Sequence, residues 1–171
     1  MTHAIRQLAV DDALQLRSLR LHALKHAPDA FTVSYEEYRD LSHEDIARDI
    51  ADDTYIGAFD ADGRLVGISA YQIRRWRKQQ HQAYLFGVYV HPDARGQGLS
   101  ARMLDACLAH ARTRVEMMIL QVAVTNFPAR HTYLKAGFQS YGVEPKALKI
   151  GDDYIDEEHM WLDLSRWHPP A

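Results

Sequence analysis

The sequence predicts an α/β fold in a single domain with a mixed sheet. Short apolar segments alternate along the chain with segments of helical periodicity. The turn signal Asp60-Ala61-Asp62-Gly63 joins two strand-like segments as a hairpin, and the apolar run Val88-Tyr89-Val90 leads through a glycine-bearing loop into a helix. At 171 residues the chain is long enough to bury one sizeable core.

The first half of the chain is predicted to begin with a short strand over residues 5–10. Asp11 or Asp12 can cap the helix that follows, in which leucines recur at helical spacing. Pro28-Asp29 interrupts this helix, and helical character returns from about residue 34 to residue 50. Three strands come next, at residues 54–59, 65–73 and 82–90.

The second half is predicted to contain two helices and three strands. The helix after Gly98 places apolar residues along one face, namely Leu99, Met103, Ala106, Cys107 and Ala111. A strand at 118–124 precedes a short helix at 126–135, and two late strands follow at 138–141 and 154–164. We expect one domain over residues 1–166 and a loose tail over residues 167–171.

Charge and composition argue against several classes of partner. A net charge of −3 gives no general attraction to nucleic acid or to anionic membrane. No apolar run approaches the roughly 20 residues of a membrane span, and Met1–Arg6 lacks the layout of a signal peptide. The single cysteine, Cys107, excludes an internal disulfide and suits a reducing compartment. We therefore expect a cytoplasmic protein with no nucleic-acid or membrane partner.

The segment from Arg95 to Ser100 has the features of an anion site. The first N–H groups of a helix lack intrahelical partners, and the helix dipole adds partial positive charge there. Gly96 and Gly98 have no Cβ to keep a phosphate away, and Arg95 adds a cation. Neither the P-loop nor the dinucleotide fingerprint fits this segment. By itself the loop is equally compatible with a structural turn.

Two segments at this spacing resemble the GCN5-related N-acetyltransferase (GNAT) superfamily. Its first signature, Arg/Gln-x-x-Gly-x-Gly/Ala, is filled by Arg95-Gly96-Gln97-Gly98-Leu99-Ser100, with serine in the last small-residue place. The second is Asn126 followed by Tyr133 and Gly137-Phe138. The order of elements also matches, so the resemblance covers nearly the whole chain. It implies a mostly antiparallel sheet flanked by helices, of the acyl-CoA N-acyltransferase type.

The resemblance also implies acetyl-CoA as donor substrate and a small-molecule or peptide amine as acceptor, in a monomer or homodimer. The pyrophosphate would bind at Arg95, Gly96, Gln97, Gly98, Leu99 and Ser100, and the pantetheine arm would pair with Val88, Tyr89 and Val90. Asn126 would contact the pantetheine arm, and it can also cap the helix that it begins. Tyr133 lies two helical turns after Asn126, on the same helix face. Its phenol would protonate the departing thiolate, because a tyrosine pKa of about 10 exceeds a thiol pKa of about 8.5.

The general base is not assigned by sequence, because the strand before the loop carries no carboxylate. Glu36 and Glu37 occupy the early helical region that lines the acceptor cleft in relatives. Asp153, Asp156 and Glu157 lie near the closing strands. For each of these acids a solvated surface charge is the simpler interpretation, and a water relay is an alternative to all of them.

Other candidate sites have simpler structural explanations. Cys107 falls on the apolar face of the long helix and is expected to be a buried hydrophobe. His22 and His26 have metal-ligand spacing but no third ligand, so we expect no metal. The basic segment Arg74–Lys78 is most simply a solvated hairpin tip. The alternative is that it contacts either the cofactor phosphates or an acidic acceptor. The acids within residues 152–158 could attract a cationic amine, but solvated surface charge is the simpler explanation for them.

Two other functions compete with the enzyme. One is a domain that binds CoA as a sensor or scaffold without catalysis, which the missing strand carboxylate would fit. The presence of both Asn126 and Tyr133 argues against that loss of activity. The other is a nucleic-acid-binding module built on the basic hairpin, which the net negative charge disfavours.

Overall fold

The computed structural model describes residues 3–169, which contain five α-helices and seven strands. The helices are α1 Ala13–His26, α2 Tyr35–Arg39, α3 His43–Asp52, α4 Leu99–Ala111 and α5 Phe127–Lys135. The strands are β1 Ala4–Gln7, β2 Thr54–Phe59, β3 Leu65–Ile73, β4 Gln82–Val90, β5 Met117–Ala123, β6 Gln139–Ile150 and β7 Asp153–Asp163. None of the described helices combines the length and apolar character needed to cross a membrane.

The seven strands form one sheet in the order β1-β2-β3-β4-β5-β7-β6. The β4–β5 pair is parallel, and every other neighbouring pair is antiparallel. A long α4 crossover connects the two parallel strands, as a parallel pair requires. The predicted α/β class with a mixed, mostly antiparallel sheet is confirmed.

Helices cover the sheet on both faces and divide the core into layers. One buried cluster joins α1 and α3 to β2, β3 and β4, and it includes Leu16, Ile46 and Ile68. On the other face, α4 and α5 pack against β5 and β7. The buried residues of α4 are Leu99, Met103, Leu104, Cys107, Leu108 and Ala111. The predicted apolar face of this helix is thus confirmed, except that Ala106 is partly exposed and two leucines join the face.

The helical region predicted over residues 34–50 consists of two helices, α2 and α3, which are separated by residues 40–42. Each begins with a capping box, because Ser34 and Ser42 accept hydrogen bonds from the N–H groups of Glu37 and Asp45. The carboxylates of these two acids accept hydrogen bonds in return from the serine N–H groups. Ser42 followed three residues later by Asp45 is the sequence signal for the second start.

The predicted strand at 5–10 ends early, and Asp12 causes the change. Its carboxylate receives two hydrogen bonds from the Arg6 guanidinium, at 2.7 and 2.8 Å, and one from the Ala9 N–H at 2.8 Å. These bonds fold residues 10–12 into a 3₁₀ turn. Asp12 occupies the N-cap position of α1, but its side chain makes no cap hydrogen bond to that helix.

The substitution Asp12→Asn is expected to lower the free energy of unfolding by about 1.5 kcal/mol at pH 7, since hydrogen bonds to a charged group contribute on this order and the half-exposed Arg6 is screened by solvent. The Arg6 guanidinium holds the pKa of Asp12 below its usual value. This stabilisation is present above the ordinary aspartate pKa and is lost as the pH falls through the lowered one. Urea titrations at pH 7 and at successively lower pH should therefore give the largest difference at pH 7 and a smaller one as the pH falls. Asp11→Asn, at the exposed neighbouring position, is the matched control; equal losses in both variants would contradict the prediction.

The late hairpin is longer than the sequence indicated, because β6 continues to Ile150 instead of ending near residue 141. Gly142 and Pro145 obscured the strand pattern. The structure accommodates them with two register shifts against β7, after Ser140 and after Glu144. Bulges of this kind keep a strand paired through residues that break its alternation.

The chain remains packed beyond the predicted end of the domain at residue 166. Trp167, which the sequence analysis placed in a loose tail, is 6% exposed and belongs to the larger buried cluster. The Arg112 guanidinium lies 6.0 Å from the centre of its ring. The predicted tail therefore cannot begin at Trp167. Residues 1–2 of the predicted N-terminal segment and residues 170–171 of the tail lie outside the described residues.

Candidate active site

The sheet contains an opening between its two parallel strands. β4 and β5 pair at Gln82–Met117, Ala83–Met118 and Tyr84–Ile119, and no further pairs follow within the described chain. Both strands nevertheless continue, β4 to Val90 and β5 to Ala123. We call the resulting gap, with Tyr84 and Ile119 at its apex, the fork. Beyond Tyr84, the edge of β4 that faces β5 is unpaired and can pair with an extended ligand.

A bulge at Gly87 bends β4 at the fork. Between the pairs Ile68–Tyr89 and Ala70–Phe86, β4 has one more residue than β3. Gly87 has φ +64°, a left-handed conformation that suits glycine. The buried guanidinium of Arg20 lies close to this bulge, 5.1 Å from the ring centre of Phe31. Sequence analysis did not identify Arg20, because its burial depends on the packing of α1 against the sheet.

The predicted phosphate loop lies at the open end of the fork. Gly96 and Gly98 have φ values of +75° and +67°, and a Cβ at either position would meet open space. Gly98 is the N-cap of α4 and provides no side-chain cap, so the first N–H groups of the helix remain free for an anion. The side chain of Leu99 is buried in the core, which leaves only its backbone for a ligand.

The side chain of Arg95 turns back toward the end of β4. Its Nε donates a hydrogen bond to the Val90 carbonyl at 3.0 Å, and its guanidinium carbon lies 5.6 Å from the centre of the Tyr89 ring. Arg95 therefore joins the loop to the strand and places a cation at the open end of the fork, beside the loop.

The histidine pair on α1 supports Tyr89 from the other side. His22 Nδ1 lies 3.0 Å from the Tyr89 hydroxyl, and the His22 ring stacks on His26 at 4.1 Å. Burial, together with His26 and His91, lowers the pKa of His22. Across residues 3–169, no group of three His, Cys, Asp or Glu side chains is arranged to hold a metal ion.

Helix α5 contributes Asn126 and Tyr133. Asn126 is the N-cap, and its Oδ1 accepts a hydrogen bond from the Ala129 N–H at 3.2 Å. Tyr133 is 7% exposed and lies in the same cluster as Leu85 and Leu120, the residues that follow the fork apex on each strand. Burial raises the pKa of Tyr133 above its ordinary value, so the phenol keeps its proton at neutral pH.

Cys107 is confirmed as a buried hydrophobe on α4. It is fully buried, and burial raises the pKa of its thiol to about 12. A thiol with this pKa is almost entirely protonated at neutral pH, and the protonated form is a poor nucleophile.

On the face of the sheet opposite α5, polar side chains from four strands form a hydrogen-bonded network. The Tyr84 hydroxyl donates to Gln121 Oε1 at 3.0 Å, and Gln121 Nε2 donates to Glu144 Oε2 at 3.3 Å. His159 Nε2 lies 3.0 Å from both Gln121 Nε2 and Glu144 Oε2. We call Tyr84, Gln121, Glu144 and His159 the cleft network. The sequence analysis missed it, although strand alternation in β7 places Glu157 and His159 on one face.

The acids predicted as base candidates occupy different environments. The Glu37 carboxylate accepts hydrogen bonds from the Ser34 N–H and hydroxyl at 2.9 and 2.7 Å, which lower its pKa. Glu36 is exposed next to it on α2. Asp153 is exposed at the start of β7. Glu157 faces the cleft network, since it raises the pKa of Tyr84 together with burial, to about 12.

The basic hairpin tip cannot reach the phosphate loop. The tip, residues 74–78, precedes β4, whereas the loop follows it, and a strand of nine residues separates them by about 30 Å. This separation favours the solvated turn over a contact of the tip with cofactor phosphates. Trp76 at the tip is 70% exposed, which fits the solvated turn.

One groove on the surface is a different feature from the fork. It has a volume of about 770 Å³ and lies between α4, α5 and the chain after β7, where Trp161 and Trp167 contribute to its lining. Neither the phosphate loop nor Tyr133 lines it. The candidate site is therefore defined by strand divergence and not by cavity size.

Comparison with known proteins identifies the fold and the family. The acetyltransferase (GNAT) family matches residues 21–138, which include the fork, the phosphate loop and α5. The chain belongs to the GNAT family. Its match to the family runs through the positions that build the candidate site.

Among curated relatives, this GNAT chain is similar to the L-methionine sulfoximine/L-methionine sulfone acetyltransferase of Pseudomonas aeruginosa. The two are 27% identical over 108 residues, which span 63% of this chain and 63% of that relative. The match thus spans less than two thirds of the relative's length.

Solved GNAT structures share the fold over nearly the whole chain. A GNAT acetyltransferase from Streptococcus pneumoniae has a TM-score of 0.84 at 21% identity, covering 95% of this chain and 99% of that one. A putative acetyltransferase from Salmonella typhimurium, determined with its cofactor acetyl-CoA, has a TM-score of 0.84 at 18% identity, with 100% and 99% covered. At these identities the similarity shows the fold.

Proposed function

We propose that the chain is an acetyl-CoA-dependent N-acetyltransferase that transfers the acetyl group to a primary amine by direct attack. The observation that carries this proposal is the fork, which has a phosphate loop at its open end and a buried phenol near its apex. An acetyl thioester is already activated, so the chain has to hold donor and amine together and to manage protons and charge. A buried nucleophile such as Cys107 is not needed.

The residues fit the two ends of acetyl-CoA. The free N–H groups after Gly98 and the cation of Arg95 suit the pyrophosphate, and Gln97 and Ser100 border the same loop. The free edge of β4 at Val88, Tyr89 and Val90 suits the amide-bearing pantetheine arm, which would lie in the fork as an added strand. The acetyl-CoA in the Salmonella typhimurium structure supports this choice of donor.

The chain's own groups supply the steps of the transfer. A backbone N–H of β4 beyond the bulge polarises the thioester carbonyl and stabilises the developing oxyanion. Tyr133 donates its hydroxyl proton to the departing sulfur. The single cysteine is buried and unpaired, which is consistent with the reducing cytoplasm where we place the enzyme.

The acceptor is proposed to be a small molecule or peptide with a primary amine. The Pseudomonas aeruginosa relative is named for two amino-acid derivatives, so these are the first compounds to test. The cleft network lies on the face of the sheet opposite α5. We propose that the acceptor binds at the fork on the face that carries this network.

Release of free thiol from acetyl-CoA tests the proposal. The amine panel would contain L-methionine sulfone, L-methionine sulfoximine, lysine, spermidine and a peptide with a free N-terminus. We expect saturable thiol release with at least one amine and none with the N-acetylated form of the same compound. Tight CoA binding without turnover on any amine would instead support the sensor or scaffold domain.

A further inference from the structure

Glu157 is a nearly buried carboxylate that lacks an internal partner. The residue is 9% exposed. Its surroundings are the Glu144 carboxylate and the His159 ring, and no hydrogen-bond donor within the described chain stabilises its charge. Its oxygen atoms are not sealed from solvent, so the carboxylate can be reached by a ligand that would supply the missing partner.

The acids closest to Glu157 on β6 and β7 already have hydrogen-bond partners. Glu158 accepts a hydrogen bond from the Arg130 guanidinium of α5, and Asp156 accepts one from the Lys146 N–H at 2.7 Å. Glu144 is bonded to Gln121 and lies 3.0 Å from His159. Glu157 is thus the carboxylate of this group that is left for a substrate.

Glu157 and Tyr133 lie on opposite faces of the sheet, beside the same gap. Successive side chains of a strand point to opposite faces, and Glu158 faces α5, which carries Tyr133. Glu157 therefore faces the other side, together with Tyr84 and the cleft network. In register it is paired with Ala123, the last residue of β5, at the open part of the fork.

We propose that Glu157 is the general base that removes a proton from the acceptor ammonium group, and that the acceptor is therefore a cationic primary amine. This inference rests on the proposed acetyltransferase function. The amine enters from the Glu157 face while the sulfur leaves toward Tyr133, so base and acid are on opposite sides of the thioester. Glu144 and His159 of the cleft network lie beside Glu157.

The proton balance follows from this arrangement. Glu157 takes the first proton from the ammonium nitrogen and later releases it to water. The neutral amine attacks the thioester carbon, so a C–N bond forms, and the C–S bond breaks with its electron pair going to sulfur. Tyr133 protonates that sulfur and regains the second proton of the amine nitrogen through water in the cleft. The products are the N-acetylated amine, CoA thiol and one proton.

The groups around Glu157 determine the expected pH dependence. It is faced by Tyr84 from β4, Glu144 from β6 and His159 on its own strand. Burial and Glu144 raise the pKa of Glu157, while His159 opposes this rise. Because a base must be ionised to accept a proton, kcat/KM should fall as the pH drops through this raised pKa. A raised pKa also makes the carboxylate a stronger base toward an ammonium group.

The test compares the pH profiles of kcat/KM for the wild type and Glu157→Gln, with the most active amine of the panel. At pH 7 we expect a loss of about 10²-fold, the usual scale of general base catalysis. The loss should shrink to less than tenfold at pH 9.5, because free amine is then abundant without a base. Glu116→Gln, an exposed acid before β5 at the far end of the sheet, is the matched control. CoA affinity of the Glu157→Gln variant should be unchanged, which shows that the fold is intact.

Three outcomes are distinguishable. A loss that shrinks with rising pH supports Glu157 as the base. Wild-type turnover with a Glu157→Gln profile parallel to the wild type at every pH overturns the assignment and leaves the acetyltransferase function standing. Absence of wild-type turnover on every amine overturns both.

Discussion

Replacing Tyr133 with phenylalanine is expected to lower kcat by about 10³-fold, within the range for removing a general acid. The change removes one oxygen atom and keeps the ring that packs 5.8 Å from Phe138. CoA affinity should be unchanged, because the loop and the β4 edge are not altered. Stopped-flow thiol release for the chemical step and calorimetric titration with CoA would measure the two quantities separately.

Tyr71→Phe is the matched control for this variant. Tyr71 lies in the same buried cluster, and its phenylalanine variant loses a hydroxyl contact, since the Tyr71 oxygen is 2.8 Å from His110 Nδ1. Tyr71→Phe should lower the free energy of unfolding at least as much as Tyr133→Phe does. Its kcat should remain within a factor of about two of the wild-type value, because Tyr71 has no role at the reacting sulfur. Equal kcat values for Tyr133→Phe and the wild type would rule out the proton-donor role.

The substitution Gly98→Ala is expected to weaken CoA binding by between about 10²- and 10³-fold, because hydrogen bonds from N–H groups to a charged phosphate contribute about 1.5–3 kcal/mol each. The new Cβ would project into the open space above the loop, where the pyrophosphate is proposed to lie. Alanine at φ +67° is also strained, which would shift the first N–H groups of α4.

Gly63→Ala separates strain from phosphate contact. Gly63 has φ +77° in the β2–β3 turn, and a Cβ there would also meet open space. Both variants should therefore lose similar stability, about 1 kcal/mol, from the left-handed conformation. Only Gly98→Ala should lose affinity in a calorimetric titration with CoA. A normal dissociation constant for this variant would place the pyrophosphate elsewhere.

The sequence allowed the prediction of elements whose signals are local. The strands β2, β3 and β4 were predicted at their observed bounds because an Asp-Gly turn and apolar runs define them. The left-handed turn before α4 was also predictable, since Gly96 and Gly98 mark such positions at a helix start. The second start at Ser42 was missed, although its capping box was present in the sequence.

The rest depended on contacts between distant residues. The sequence could not show that Glu157 has no hydrogen-bond partner among the described residues. This depends on which neighbouring acids are paired: Arg130 is hydrogen-bonded to Glu158. Gln121 and His159 contact Glu144. The buried position of Trp167 depends likewise on packing against the larger core cluster. Strand alternation could have separated Glu157 from Glu158, but only once the exact bounds of β7 were known.

Because β4 and β5 pair only at one end, a small rotation between them there would produce a larger displacement at the open end of the fork. Three residue pairs join the two halves of the sheet at one end, and the last is Tyr84–Ile119. Val88 and Ala123 lie four residues further on, about 13 Å from this pivot. A rotation of five degrees about the pivot therefore moves the open end by about 1 Å, a displacement large enough to disturb reacting groups. Packing at the closed end thus controls alignment at the open end, so substitutions far from the reacting atoms can alter turnover.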